Sequence, residues 1–203
     1  MPSQHPCHQS VPFPQHSIWG AIQTGEQILP GIWQVHTASH GGFILSDSRQ
    51  AAMPASLKLD GSSYEEDADY ALVALGFEAE FKSKGGADVL MVRNAHDTSR
   101  NWHPDRYAAF TGKPVEPRDS HVLKLRDAYP ARIGRDVVVA AFGSWADWVS
   151  EGKTGVVARR LASVDQLARP RYEGEDKRAL VDAAHYDARE QVITLDELDA
   201  VPC

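Results

Sequence analysis

The chain has 203 residues, 42% of them hydrophobic and 24% charged, with a formal net charge of −7. That length and composition fit one soluble domain, with or without tails, and a chain of this size can bury enough surface to fold without staples. Its two cysteines, Cys7 and Cys203, stand near opposite ends and form neither a metal-ligand pair nor a disulfide framework; no signal-peptide pattern or membrane-length apolar run is seen, so a cytoplasmic protein with no membrane contact is expected.

Residues 1–16 are rich in Pro, His and Gln and read as a disordered tail. His5, Cys7, His8 and His16 fall in that tail, where prolines and short spacing define no rigid ligand geometry. Thr24-Gly25-Glu26 reads as a polar bend between apolar flanks. Pro30-Gly31 marks a turn, after which Ile32 to Thr37 alternates as a strand. Ala38 to Gly42 supplies a tight connection and Phe43-Ile44-Leu45 the return strand. A hairpin is predicted, with Gly41 and Gly42 absorbing any positive backbone angle.

Ser46-Asp47 predicts the cap of a short helix ended by Pro54. Ser62 and Ser63 each precede a glutamate by three residues, Glu65 and Glu66. Two overlapping capping boxes therefore predict a helix through Ala68, Ala71, Leu72 and Leu75, stopped by Gly76. Residues 87–95 favour helix over strand. Pro104 opens a helix to Phe110, closed by Gly112, and Asp119 or Ser120 caps another to about Ala128. Val137 to Phe142, the most apolar run, is predicted to be the central strand. Gly143 to Gly155 is a loop, Val156 to Leu161 a strand, and Pro170 to Asp176 a polar crossing. Ala179-Leu180-Val181 and Gln191 to Leu195 are further strands around a helical turn at His185-Tyr186. The expected fold is α+β: an antiparallel sheet of about five strands, helices inserted in the middle of the chain, one domain over 17–203.

Charge is concentrated. Between Lys58 and Lys82 stand seven acids (Asp60, Glu65, Glu66, Asp67, Asp69, Glu78, Glu80) and no lysine or arginine; the remaining 21 acids match the 21 lysines and arginines. A basic nucleic-acid footprint is absent, which argues against direct DNA binding. One acidic face over 60–80 suits a basic protein partner.

The turn Ser39-His40-Gly41-Gly42 is the first candidate for chemistry. Glycine N–H groups can face an oxyanion, and a histidine can move protons. No glycine precedes Ser39 by two residues, so this is not a nucleophile elbow, and no Gly-Lys-Ser/Thr makes it a phosphate loop. Glu65-Glu66-Asp67 is the second, although on a helix neighbouring carboxylates diverge by about 100° and capping accounts for at least one. If the helix start packs beside the hairpin, His36 or His40 can pair with Glu66 or Asp67. The candidate catalytic residues are Ser39, His40, Glu66 and Asp67; candidate binding residues are Gly41, Gly42, Tyr64, Glu65, Asp69, and the loop tryptophans Trp145 and Trp148 as an aromatic platform. His36 and His40 run from strand into turn rather than along one helix face, so spacing alone assigns no metal site, and no cofactor is implied. His103, just before Pro104, is expected to act as a cap.

Trp19-Gly20, Pro30-Gly31-Ile32, Thr37-Ala38-Ser39-His40-Gly41-Gly42, Ala52-Met53-Pro54 and Tyr64-Glu65-Glu66-Asp67 together resemble a family of uncharacterised bacterial proteins met on plasmids, phages and other mobile elements, a domain of unknown function. Phe110-Thr111-Gly112, Val137 to Ala141, Gly155 to Ala158 and Ala179 to Val181 fit more loosely, and Asp182 stands where the pattern leads one to expect a proline. The resemblance implies a cytoplasmic accessory protein of mobile DNA and no particular reaction. Two functions follow: binding of a basic protein through the acidic face, or a small hydrolase using His40 with a carboxylate of 65–67, metal-assisted or not.

Overall fold

A computed structural model describes residues 12–203. His5, Cys7 and His8 lie outside the described residues. The described chain falls into two compact units, one running to Ser120 and the other from His121 to Cys203. Both build on antiparallel sheet, and helices concentrate in the middle of the chain, so the α+β expectation holds, with the strands divided between two sheets of four.

In the first unit, β1 (Thr24–Leu29), β2 (Ile32–His36), β3 (Gly41–Leu45) and β4 (Ser63–Glu65) pair in sequence order. The polar bend expected at Thr24 is thus an edge strand, in register with β2 through Thr24↔His36 and Glu26↔Gln34. Between β3 and β4 stands α1 (Asp47–Ala52), capped by Ser46, whose hydroxyl oxygen accepts the Arg49 N–H at 3.3 Å. After β4 come α2 (Tyr70–Gly76), α3 (Glu78–Lys84), α4 (Ala87–Trp102) and α5 (Pro104–Thr111). Gly112 closes α5 in the left-handed region, at φ 69°. Ile32, Phe43, Leu45 and Tyr64 on one sheet face pack with Leu72, Phe77 and Phe81 in a single apolar core. Phe13, in the part of the presumed tail that is described, meets Trp33 edge-on at 5.0 Å between ring centroids.

The double capping box does not form. Ser63-Tyr64-Glu65 is strand, held by Phe43↔Tyr64 and Gly42↔Glu65, and the helix starts only at Tyr70. Burial decides this. Tyr64 is fully buried, its hydroxyl donating to Gln50 Oε1 at 3.0 Å and accepting the Leu59 N–H at 3.1 Å. An aromatic with both polar needs met in the core outweighs the roughly 1 kcal/mol a helix cap supplies.

The second unit opens with α6 (His121–Ala128). Its sheet is β5 (Asp136–Phe142), β6 (Lys153–Val164), β7 (Pro170–Asp182) and β8 (Val201–Pro202), in that order, with α7 (Ala183–Asp187) between β7 and β8. The apolar run taken as the central strand is therefore the outermost, and Val139, Ala140 and Ala141 are exposed. β6 is interior instead. The polar crossing at Pro170 is the first half of β7, and Gln191 to Leu195 forms no strand of its own. Residues 193–195 flank β5 through the Val138 N–H to Ile193 O and Leu195 N–H to Asp136 O bonds, both 3.0 Å.

Candidate functional site at one end of the first sheet

Gly41 pairs with His36 across β2 and β3, and its carbonyl oxygen accepts the Glu66 N–H at 3.1 Å. His36, Gly41 and Glu66 so form a row across three strands, on the face that carries Ile32, Phe43 and Tyr64. A Cβ at position 41 would stand 2.4 Å from Glu66 Oε2 and 3.0 Å from His36 Nδ1. Glycine is what allows those two side chains to close over the strand, where His36 Nδ1 and Glu66 Oε2 lie 3.9 Å apart. Gly42 serves a different approach, since a Cβ there would meet the Tyr64 carbonyl oxygen at 2.2 Å and Trp19 at 2.7 Å. Both glycines belong to β3, not to the turn. Gly42 does take a positive φ, 155°, and both accommodate close neighbours.

The turn itself is built by Thr37. Its N–H and its hydroxyl both donate to the His40 carbonyl oxygen at 2.7 Å, and its hydroxyl oxygen accepts the His40 N–H at 3.2 Å. This fixes the backbone of His40 and leaves its imidazole exposed. Opposite stands Glu65. Its Oε2 accepts the N–H groups of Asp67 (2.8 Å) and Ala68 (3.2 Å), so the carboxylate is oriented by the chain that follows it. Its Oε1 is buried and has no hydrogen-bond partner. An imidazole nitrogen of His40 and one carboxylate oxygen each from Glu65 and Glu66 all lie within 4.8 Å of one another.

The two sequence motifs therefore meet, by a route different from the expected helix start. The chain turns directly after Glu65, and Glu65 and Glu66 each bring a carboxylate oxygen to His40. Other predicted site residues stand apart in role. Ser39 is exposed beside His40. Asp67 is exposed and contributes its amide to Glu65. Tyr64 is core and unavailable to a ligand. Asp69 Oδ1 lies 3.0 Å from His103 Nε2, close in distance though outside hydrogen-bond geometry; no sequence pattern links residues so far apart. Ser99, one turn before His103 on α4, is fully buried, so nothing can reach its hydroxyl. Trp145 and Trp148 belong to the second unit. Trp145 is 75% exposed, whereas Trp148 packs over Gly155 and under the Arg178 guanidinium.

The acidic window is partly neutralised by its own unit. Glu80 forms a bidentate pair with Arg49, at 2.6 and 2.7 Å. Glu78 is bound by Lys82, and that hydrogen bond above all lowers its pKa. With Asp69 beside His103 and Glu65 on backbone amides, the excess charge is dispersed over separate partners.

Residues 12–133 match the family described as a domain of unknown function, DUF7007. The chain belongs to that family. The DUF7007 match takes in the described part of the first unit and the start of the second, so His36, His40, Glu65 and Glu66 all fall within it, and Trp145 and Trp148 do not. No curated protein and no solved structure matches the chain. No helix among the described residues is long and apolar enough to cross a membrane.

Proposed function

We propose that this protein is a small metal-assisted hydrolase whose centre is His40, Glu65 and Glu66. The observation that carries the reading is the convergence of three ligand-type atoms within 4.8 Å, one of them on a carboxylate with a buried, partnerless oxygen. Ligands about 2.0–2.2 Å from one tetrahedral ion stand about 3.3–3.6 Å apart, so binding would draw the three side chains together by up to about 1.5 Å. Three protein ligands leave positions open for water and substrate, as a catalytic rather than a structural metal site requires. One nitrogen and two carboxylate donors suit a divalent ion of borderline or hard character, such as Zn²⁺ or Mn²⁺.

The chemistry follows from the layout. A divalent ion held by His40, Glu65 and Glu66 would lower the pKa of a bound water and so supply a hydroxide nucleophile. His36, next to Glu66, would take the proton released and return it to the leaving group as the bond between that group and an acyl carbon breaks. The alternative, an acidic face engaging a basic partner, is weakened by the pairing of Glu78 and Glu80 within the fold.

Calorimetric titration of the metal-free protein with Zn²⁺ and Mn²⁺ tests the reading. One equivalent should bind, at least about tenfold more weakly in His40→Ala and in Glu65→Gln, and the loaded protein should release nitrophenol from p-nitrophenyl acetate. Absence of stoichiometric binding, or binding indifferent to both substitutions, would overturn it.

A further inference from the structure

His36 has a second environment. Because Thr24 pairs with His36 and Glu26 with Gln34, these side chains share the sheet face that leads to Gly41 and Glu66. There they bound a cavity of about 280 Å³, lined by Thr24, Gly25, Glu26, Gln34 and His36. Its size lies at the lower edge of the roughly 300–1,000 Å³ typical of small-molecule pockets. It accommodates one side chain rather than a whole ligand. Its lining is a carboxylate, an amide, a hydroxyl and an imidazole, with no lysine or arginine. Among the described residues Glu26 has no ion-pair partner, unlike Glu78 and Glu80.

We infer that this cavity is the substrate subsite of the centre above, and that it takes a cationic side chain, the lysine or arginine of a peptide. The inference rests on the hydrolytic reading for its link to chemistry. Two observations favour this occupant. A carboxylate with no counter-charge attracts a cation and repels phosphate or a carboxylate ligand. The cavity also borders β1, the edge strand of its sheet, where an extended peptide can add by main-chain pairing while one side chain enters a pocket. His36 lines the cavity and lies 3.9 Å from Glu66, so it borders both the cavity and the centre.

The test uses the full chain and two blocked tripeptides, acetyl-Ala-Lys-Ala-amide and its norleucine analogue, which keeps the side chain's four-carbon stem without its ammonium group. Binding is read by NMR shifts at Glu26, Gln34 and His36. The lysine peptide should bind saturably and at least about tenfold more tightly than the norleucine one. Glu26→Gln should abolish that preference while leaving Zn²⁺ and Mn²⁺ affinity unchanged, and Glu175→Gln, on the second sheet, should change neither. Equal binding of the two peptides, no binding of either, or a Glu26→Gln protein that still prefers lysine would overturn the inference. With metal binding intact, those outcomes leave the hydrolytic reading standing; loss of metal binding with the lysine preference retained would remove that reading and leave a cationic-peptide subsite.

Discussion

The two sheets differ in how they handle charged side chains. On the second sheet, charges cancel across exposed strands: Arg159 with Asp176, Arg160 with Glu173 at 3.5 Å, Lys177 with Asp136 at 2.7 Å. The first unit pairs exposed charges too, such as Arg100 with Asp97 at 2.7 Å, but it commits the Arg49 cation to the interior against Glu80 and leaves the His40 ring, Glu65 Oε1 and Glu26 of the first sheet region without such a partner. A group already matched to a neighbour has little left for a ligand. The difference therefore directs attention to the first sheet, although the second has the aromatic side chains and arginines that usually suggest a binding surface. It also ranks what substitutions should do in each unit.

The largest effect is expected at Glu80. The Arg49 side chain is 1% exposed; its Nε donates to Pro30 O at 2.7 Å and its guanidinium lies 4.7 Å from the Phe77 ring centroid. Glu80→Ala would leave that cation buried beside an aromatic ring with two of its three side-chain hydrogen bonds gone. Removing one partner of a buried pair typically costs about 3–5 kcal/mol. Urea denaturation should show a loss in that range, with a smaller one for Glu80→Gln, which keeps an acceptor. A loss below about 1 kcal/mol for Glu80→Ala would mean that Arg49 relaxes to solvent and that the first unit holds no committed interior charge.

How far the sequence foretold this molecule depends on whether burial agrees with local pattern. The β2–β3 hairpin, the Ser46 cap and the Gly112 stop were legible because local chemistry and packing point the same way. Ser62 and Ser63 with Glu65 and Glu66 match a capping box as well as any stretch in the chain, yet the box forms elsewhere. Thr194 and Glu197 hold it: the Thr194 N–H donates to Glu197 Oε2 at 2.9 Å, and the Glu197 N–H donates to Thr194 Oγ1 at 3.4 Å, ahead of a 3-10 turn at Asp196–Leu198. The pattern is the same; what differs is Tyr64, which the core claims between Ser63 and Glu65. Val137 to Phe142 misled in the other direction, since apolar residues at a sheet edge look identical in sequence to those at its centre. The meeting of His36 or His40 with a carboxylate could be anticipated from nearness in the chain, but Gly41 as the gap between His36 and Glu66 could not, because cross-strand register is invisible before the sheet is built. Asp69 and His103 offered no signal, being brought together only by packing.

A smaller, pH-dependent effect is expected from that second box. Partial burial raises the Glu197 pKa, but the Thr194 N–H and hydroxyl and the Arg132 guanidinium outweigh it, so the carboxyl titrates below its ordinary 4.5. A depressed folded-state pKa contributes stability that is present above the unfolded value and lost as pH falls through the folded one. Glu197→Gln should cost about 1–2 kcal/mol near neutrality, the usual worth of charge-assisted hydrogen bonds. The gap between variant and parent should narrow as pH drops below about 4.5. Thermal unfolding across pH 3–7 measures it, and parallel curves would show that Glu197 is not coupled to folding.

The smallest effect belongs to the exposed pairs. Arg159 and Asp176 expose 47% and 51% of their side chains, and pairs of that kind contribute between nothing and about 1 kcal/mol. Arg159→Ala should change stability by no more than about 0.5 kcal/mol, and 1 M salt should erase even that, because it shortens the screening length to about 3 Å. A double-mutant cycle with Asp176→Ala isolates the pair from the packing of the arginine stem. Coupling above about 1 kcal/mol that persists in salt would place the pair in a desolvated setting. The second sheet would then hold committed charge of its own, and the contrast that singles out His40, Glu65 and Glu26 would lose its basis.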